Sequence, residues 1–234
     1  MLITCLSQLL EFVFPSHCTA CNAYLTLNDR HFCALCSVTL NCLELACTCC
    51  GRALLGYGPI QCQSCHDTPP AFDHLWWATE YGGATQQAIV RCKYQQKSHL
   101  AKRLAQLWCK SPIVGRDWDY IVPVPLHRAR LRTRGYNQSA LLAAQIGKMI
   151  ERPVVYNELT RIKNTTPQVE LSGAGRRRNL IGAFGVKKRH SFMGASILLV
   201  DDVVTTGATM NACAKALKRA GAARVDGWSV AREG

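Results

Sequence analysis

The run from Ile197 to Met210, ILLVDDVVTTGATM, constrains the fold of this 234-residue chain more than any other segment. Four consecutive apolar residues, Ile197 to Val200, leave no polar face, as in a strand of a parallel sheet that is covered on both sides. Two carboxylates follow, Asp201 and Asp202, then Val203 and Val204, then a turn of small residues, Thr205-Thr206-Gly207-Ala208-Thr209. The turn opens into a stripe of Met210, Cys213, Ala214, Leu217 and Ala220 at helical spacing, closed by Gly221. A small-residue loop between a strand and a helix N-terminus turns backbone N–H groups toward an anion, and the helix dipole adds to the attraction. The threonines add hydroxyl donors. Adjacent carboxylates suit neighbouring sugar hydroxyls and can hold a hydrated Mg²⁺, although paired aspartates also cap turns in proteins without a ligand. Neither GxxxxGK[ST] nor GxGxxG is present, which excludes the P-loop and the dinucleotide fingerprint.

The rest of the C-terminal two thirds fits this unit. Residues 75–81, 120–124, 154–155 and 224–231 read as strands, and residues 84–110 as one long helix anchored by Ile89, Leu100, Leu104 and Leu107. Asn137 is an N-cap for a helix carrying Leu141, Leu142, Ile146 and Met149, which Pro153 stops. Strands alternating with helices imply an α/β fold, a mainly parallel sheet with helices on both faces. Ligands of such sheets bind at the carboxyl ends of the strands, where Asp201 and Asp202 stand.

The first third is of another kind. Eleven of the fourteen cysteines precede residue 66, and eight of them fall into two similar blocks. Cys18-x2-Cys21 is followed after eleven residues by Cys33-x2-Cys36, and Cys47-x2-Cys50 after eleven residues by Cys62-x2-Cys65. Two CxxC pairs closed by a short loop supply the four thiolates of a tetrahedral structural zinc site, and Gly51 permits the knuckle turn after Cys50. Two such sites, with about two zinc ions per chain, are expected. Disulfides need a secreted context that the sequence does not offer, and a doubled spacing argues against a redox CxxC. A crossed pairing between the quartets stays open at this level. Cys49 competes locally with Cys50, and His17, His31 and His66 flank ligand positions. Cys5, Cys92, Cys109 and Cys213 read as small core residues. Composition changes at Thr68-Pro69-Pro70, so residues 1–70 are expected to form an N-terminal helix and zinc-ribbon module and residues 71–234 the α/β domain.

The opening segment, MLITCLSQLLEFVF, has no basic n-region or cleavage site and is too short to span a bilayer; Leu6, Leu9, Leu10 and Val13 give it an amphipathic helical pattern. No membrane span is expected, and a cytoplasmic location is. A formal charge of +13 favours a polyanionic partner such as a nucleotide, a phosphosugar or nucleic acid.

Residues Ile197 to Thr209 resemble the phosphoribosyl-pyrophosphate (PRPP) motif of type I phosphoribosyltransferases, pentosyl transferases with a Rossmann-like sheet. The resemblance implies that Asp201 and Asp202 contact the ribose hydroxyls, that Thr205 to Thr209 hold the 5′-phosphate, and that Mg²⁺ bridges pyrophosphate and ribose oxygens. Thr205 stands where purine-salvage enzymes carry an aspartate base, so a 6-oxopurine acceptor is disfavoured and no catalytic residue is assigned. VPVPLH, from Val122 to His127, with Arg128, Arg130, Arg132 and Arg134 and then Gly135-Tyr136-Asn137-Gln138, matches the family's pyrophosphate loop; Pro125, Leu126, His127 and Arg134 would line it. The basic segment from Arg161 to Phe184 resembles a lid, with Gln168, Arg177 and Asn179 as its contacts.

Together the ribbons, the VPVPLH…RGYNQ segment, the lid and VDDVVTTGAT resemble the ComF family, which includes GntX-type proteins, over nearly the whole chain. That resemblance implies a role in DNA uptake or in the use of DNA as a nutrient and leaves the acceptor open, between a nucleobase or nucleotide and single-stranded DNA. A protein partner at the ribbons is a further expectation. The competing reading is a nucleic-acid-binding accessory protein in which the transferase fold is vestigial or senses PRPP; the net charge, the ribbons and the arginine-rich loops support it.

Overall fold

The computed structural model describes residues 16–26, 31–40, 46–54, 60–94, 97–111, 113, 116–162, 180, 182–188 and 192–233. The amphipathic pattern of residues 1–15 lies outside these, as do Cys5 and Cys42.

The elements in chain order are α1 (Ala34–Ser37), α2 (Gln63–Asp67), β1 (His74–Glu80), α3 (Gly83–Tyr94), α4 (Leu100–Ala105) and a 3₁₀ turn (Gln106–Lys110). They continue with β2 (Tyr120–Pro123), α5 (Arg128–Arg134), α6 (Gln138–Met149), β3 (Leu159–Arg161) and β4 (Phe184–Val186). β5 (Ser196–Val204), α7 (Ala208–Arg219) and β6 (Arg224–Arg232) complete the chain. β1, β6, β5 and β2 form one sheet in that order, every pair parallel, while β3 and β4 make a separate antiparallel hairpin.

The apolar run of β5 is central, and Ile197, Leu198, Leu199 and Val200 are all fully buried. Their period of two divides the core. Leu198 and Val200 join Ile121, Trp228 and Val230 beneath α3, α4 and α6, whereas Ile197 and Leu199 join Val122, Val225 and the inward stripe of α7. That stripe is the expected one: Met210, Cys213, Ala214, Leu217 and Ala220 are each buried. Asn137 caps α6 as expected, its side chain accepting the Ser139 N–H at 3.1 Å.

Four expectations need correction. The stretch 84–110 is not one helix: α3 ends at Tyr94, α4 begins at Leu100, and the last turn is 3₁₀. A straight helix would carry its apolar anchors off the sheet, and the break lets both α3 and α4 bury them. β5 continues past Val200 to Val204, so Asp201 and Asp202 are strand residues; Asp201 pairs with Ser229 and Val203 with Ala231 of β6. Val154 makes only an isolated bridge to Ile121. Among the lone cysteines, Cys92 and Cys213 are buried as expected, but Cys109 is exposed on the 3₁₀ turn.

β1 is an edge strand, and the cysteine-rich segments pack beside it. The Leu75 amide donates to the Cys49 carbonyl at 2.8 Å and the Trp77 indole to the Gly51 carbonyl at 2.7 Å. An edge that could template aggregation is covered in this way. The first cysteine segment instead joins the core under α3 and α4 through Cys18, Ala20 and Phe32. No helix among the described residues is long and apolar enough to cross a membrane.

Candidate functional site

Asp201 and Asp202 are half-buried near the carboxyl end of β5, and each has a partner from another element. The Ser139 hydroxyl, in the first turn of α6, donates to Asp201 Oδ1 at 2.8 Å, and the Asp202 amide donates to the same oxygen at 2.9 Å. Lys93, in the last turn of α3, places its ammonium 2.8 Å from Asp202 Oδ1. Burial, and then the neighbouring Asp202 charge, push the Asp201 carboxyl up to about 7, against the pull of Ser139 and Lys93. Burial works against the Lys93 charge, but Asp202 and Asp201 outweigh it and hold its pKa above the usual range. The result is a carboxylate pair with one fixed cation and one oxygen held by a hydroxyl.

The turn after β5 is shorter than the expected Thr205 to Thr209: it spans Thr205 to Gly207, and Ala208 and Thr209 already belong to the first turn of α7. Gly207 adopts φ +76, a left-handed conformation that a side chain would strain, and it starts α7 directly. Thr206 is exposed and its hydroxyl accepts the Ala208 N–H at 3.3 Å, while Thr205, Ala208 and Thr209 are half-buried around it. Val203 is half-buried within β5 and Val204 is buried; the Val204 carbonyl accepts the Glu233 amide at 2.8 Å.

The segment after β2 is held close by. Pro125, Leu126 and His127 are half-buried, and His127 caps α5 by accepting the Ala129 N–H at 3.3 Å. Arg128, Arg130 and Arg132 point to solvent. Arg134 is the exception: it donates to Gln138 Oε1 at 2.7 Å and lies 4.9 Å over the Tyr94 ring. The Tyr136 hydroxyl donates to the Cys92 carbonyl and the Asn137 amide to the Val124 carbonyl, so the end of α3, the loop and α6 are tied together. Gln138 is 2% exposed, and its amide nitrogen has no hydrogen-bond partner among the described residues. A buried donor left in that state costs about 1–3 kcal/mol, which an oxygen-rich ligand would recover.

Lys93, Ser139 and Gln138 are the residues that sequence reasoning missed. Lys93 is one of many basic residues in its region, and nothing in its spacing sets it apart. Ser139 follows a recognised N-cap by two residues, a weak signal in itself. The lid contacts Gln168, Arg177 and Asn179 lie outside the described residues; the hairpin of β3 and β4 that flanks the segment packs on α7.

Both cysteine quartets assemble as the spacing within each block implies. Cys18, Cys21, Cys33 and Cys36 bring their sulfurs within 4.8 Å of one another, and Cys47, Cys50, Cys62 and Cys65 do the same, so the pairing is not crossed. Among the described residues no histidine joins either group. The Cys33 amide donates to Cys18 Sγ at 3.4 Å and the Cys62 amide to Cys47 Sγ at 3.3 Å, the same bond in both blocks. Each quartet can hold a metal ion.

Each quartet is also clamped by a buried arginine. Arg91 of α3 donates to the carbonyls of Cys18, Thr19 and Ala20 and to the Asn22 side chain. Arg232 at the end of β6 donates to the Cys50 carbonyl at 2.8 Å.

The phosphoribosyl transferase domain family matches residues 131–231, which include the carboxylate pair, the small-residue turn and Ser139. Competence protein F of Haemophilus influenzae is 31% identical over 229 residues, covering 94% of this chain and 98% of that protein. DNA utilization protein YhgH of Escherichia coli K12 is 31% identical over 224 residues, covering 93% of this chain and 97% of that protein. Adenine phosphoribosyltransferase from Thermoanaerobacter pseudethanolicus aligns in space with 59% of this chain and 83% of its own, at 15% identity and a TM-score of 0.37. With relatives matched end to end and a phosphoribosyltransferase domain where the carboxylates lie, the chain belongs to the ComF family of competence and DNA-utilization proteins.

Proposed function

We propose that this protein binds PRPP with Mg²⁺ and transfers its phosphoribosyl group to a nucleobase, nucleotide or DNA-derived acceptor in the cytoplasm, in the service of DNA utilization. The observation that carries the reading is the carboxylate pair Asp201 and Asp202, held by Ser139 and Lys93 and running directly into the Thr205 to Thr209 turn. Carboxylate oxygens accept from ribose hydroxyls, and the turn offers N–H and hydroxyl donors to a 5′-phosphate. Gln138 and Arg134 add donors beside the loop of Pro125 to His127, where the pyrophosphate would lie. The site's two anionic oxygen groups fit a hard divalent cation and its water shell, and Mg²⁺ would neutralise the departing pyrophosphate. The chain itself contributes positioning and charge stabilisation for an oxocarbenium-like ribose. The arrangement of residues 1–70 as a separate module with a structural zinc in each quartet belongs to the same reading. All-thiolate, closed quartets fit structural zinc, whereas catalysis would need an open position.

The test is calorimetry of PRPP binding in the presence of Mg²⁺. Asp202→Ala should abolish binding, and pyrophosphate should be released by the unaltered protein when the acceptor is present. Unchanged binding by the Asp202→Ala protein would remove PRPP from the site.

A further inference from the structure

One sizeable cavity does not touch the carboxylates. It lies behind the small-residue turn, between the second cysteine quartet and α7, and encloses about 670 Å³. Small-molecule sites typically occupy about 300–1,000 Å³. Three parts of the molecule build it. The quartet segment supplies Arg52, Ser64 and Thr68; α7 supplies Asn211, Lys215 and Arg219; Thr206, Gly207 and Ala208 close the end nearest the turn. Its floor is apolar, made by Phe72, Leu180 and Phe184.

The charge of this cavity is one-sided. Four of its lining residues are Arg or Lys, Arg52, Lys215, Arg219 and Arg232, and none is acidic. Arg232 is committed to the Cys50 carbonyl, but Arg52, Lys215 and Arg219 form no ion pair among the described residues. On α7, Ala208, Asn211, Ala212, Lys215 and Arg219 recur at helical spacing on the face opposite the buried stripe, so this row of donors is a property of the helix surface. Asn211 accepts the Ala71 amide at 2.7 Å through its oxygen, which turns its NH₂ into a free donor for a ligand. The α7 dipole adds positive potential at the Thr206 to Ala208 end of the cavity, the helix N-terminus.

An apolar floor, a basic rim and amide and hydroxyl donors between them match a flat ring joined to a phosphate. We propose that this cavity is a second binding site, for a nucleoside monophosphate, adjoining the PRPP site through the shared turn Thr206 to Ala208 and completed by the second quartet. Neither Asp201 nor Asp202 lines it, so the carboxylate wall is left to PRPP; the turn is the shared edge, and the nucleotide's phosphate falls to Arg52, Lys215 and Arg219 rather than to the turn. The docked quartet acquires a function in this way: without it, half the rim is missing. The placement of PRPP rests on the reading above; the nucleotide site stands without it.

The experiment is calorimetry with adenosine and thymidine 5′-monophosphates, with adenosine and inorganic phosphate as controls, with and without PRPP and Mg²⁺. The variants are Lys215→Glu with Arg219→Glu, both on the exposed face of α7, and Asp202→Ala. A nucleoside monophosphate should bind in either condition, more tightly than phosphate or the nucleoside. The double variant should weaken it at least tenfold while keeping PRPP binding and metal content, and Asp202→Ala should leave it intact. One-for-one competition with PRPP would make the cavity part of the donor site and overturn the proposal. So would undiminished binding by the double variant, or equal binding of inorganic phosphate. Loss of metal from the double variant would assign these cations to the thiolates instead. If PRPP fails to bind while the nucleotide binds as expected, only the donor reading falls.

Discussion

Replacing Asp201 by Asn should make the protein more stable and the site useless, with the two effects following different pH dependences. The Asp201 carboxyl rises on folding from 3.8 to about 7 because burial and then the Asp202 charge disfavour its ionised form. The folded state therefore holds the proton more tightly than the unfolded chain does. Below about pH 4 both states are protonated and the ionised form costs nothing. Between about pH 4 and 7 the unfolded chain loses the proton first, so stability falls as pH rises, and above 7 the cost is fully present. At about 1.4 kcal/mol per pH unit this gives an upper bound of ~4 kcal/mol. The Lys93 ammonium beside Asp201 offsets part of that cost, so about 1–2 kcal/mol is the expected gain on removing the charge. Asparagine keeps an oxygen for the Ser139 hydroxyl and the Asp202 amide, so the geometry survives. In a chain of this length the gain corresponds to about 2–4 °C in Tm per kcal/mol. Thermal unfolding of both proteins from pH 5 to 8 should show the advantage of Asp201→Asn growing with pH and levelling off above 7. PRPP affinity should fall in the variant, whereas in the unaltered protein it should rise toward pH 7 as Asp201 ionises. An advantage that is flat with pH, or reversed in sign, would refute the buried-charge argument.

Three further perturbations separate the parts of the molecule. Lys93→Met leaves Asp202 without its cation in a half-buried site, at a cost of about 2 kcal/mol that should grow from pH 6 to pH 8 as Asp201 ionises beside it, read as Tm at the two pH values. Gly51→Ala places a Cβ 2.6 Å from the Leu75 carbonyl at a residue with φ +68, so the second quartet should release its metal to a chromophoric chelator faster than the first. Arg91→Met removes four hydrogen bonds to the first quartet's knuckle, on the order of 3 kcal/mol; metal release should then be accelerated at the first quartet and not at the second.

The clamps give the cysteine segments a mechanical reading. A module this small buries little core, so its stability comes from metal and from docking. Arg91 and Trp77 supply that docking from α3 and from the edge strand, and both use backbone carbonyls as acceptors. The exception is Asn22, whose side-chain oxygen also accepts from Arg91 and which takes the left-handed position after Cys21 that Gly51 takes after Cys50.

Local order in this protein was legible from the chain. A run with no polar face, Ile197 to Val200, reads as a covered strand, and its alternation with helical stripes along the chain is what implied the parallel sheet. The CxxC pairs follow from spacing, because two cysteines with two residues between them share one turn and need a second such pair; which pair meets which was settled only by the packed structure. The stripe of α7 and the Asn137 cap are likewise properties of neighbouring residues, and the structure reproduces both. What depends on residues far apart in sequence was not legible. Lys93 meets Asp202 across 109 positions, and Ser139 meets Asp201 across 62; both contacts exist only because α3 and α6 pack on the same face of the sheet. The break between α3 and α4, and the cavity between the second quartet and α7, arise in the same way, from the fit of one surface to another. Sequence periodicity specifies which face of an element is buried. Only the packed sheet decides which charge that face meets.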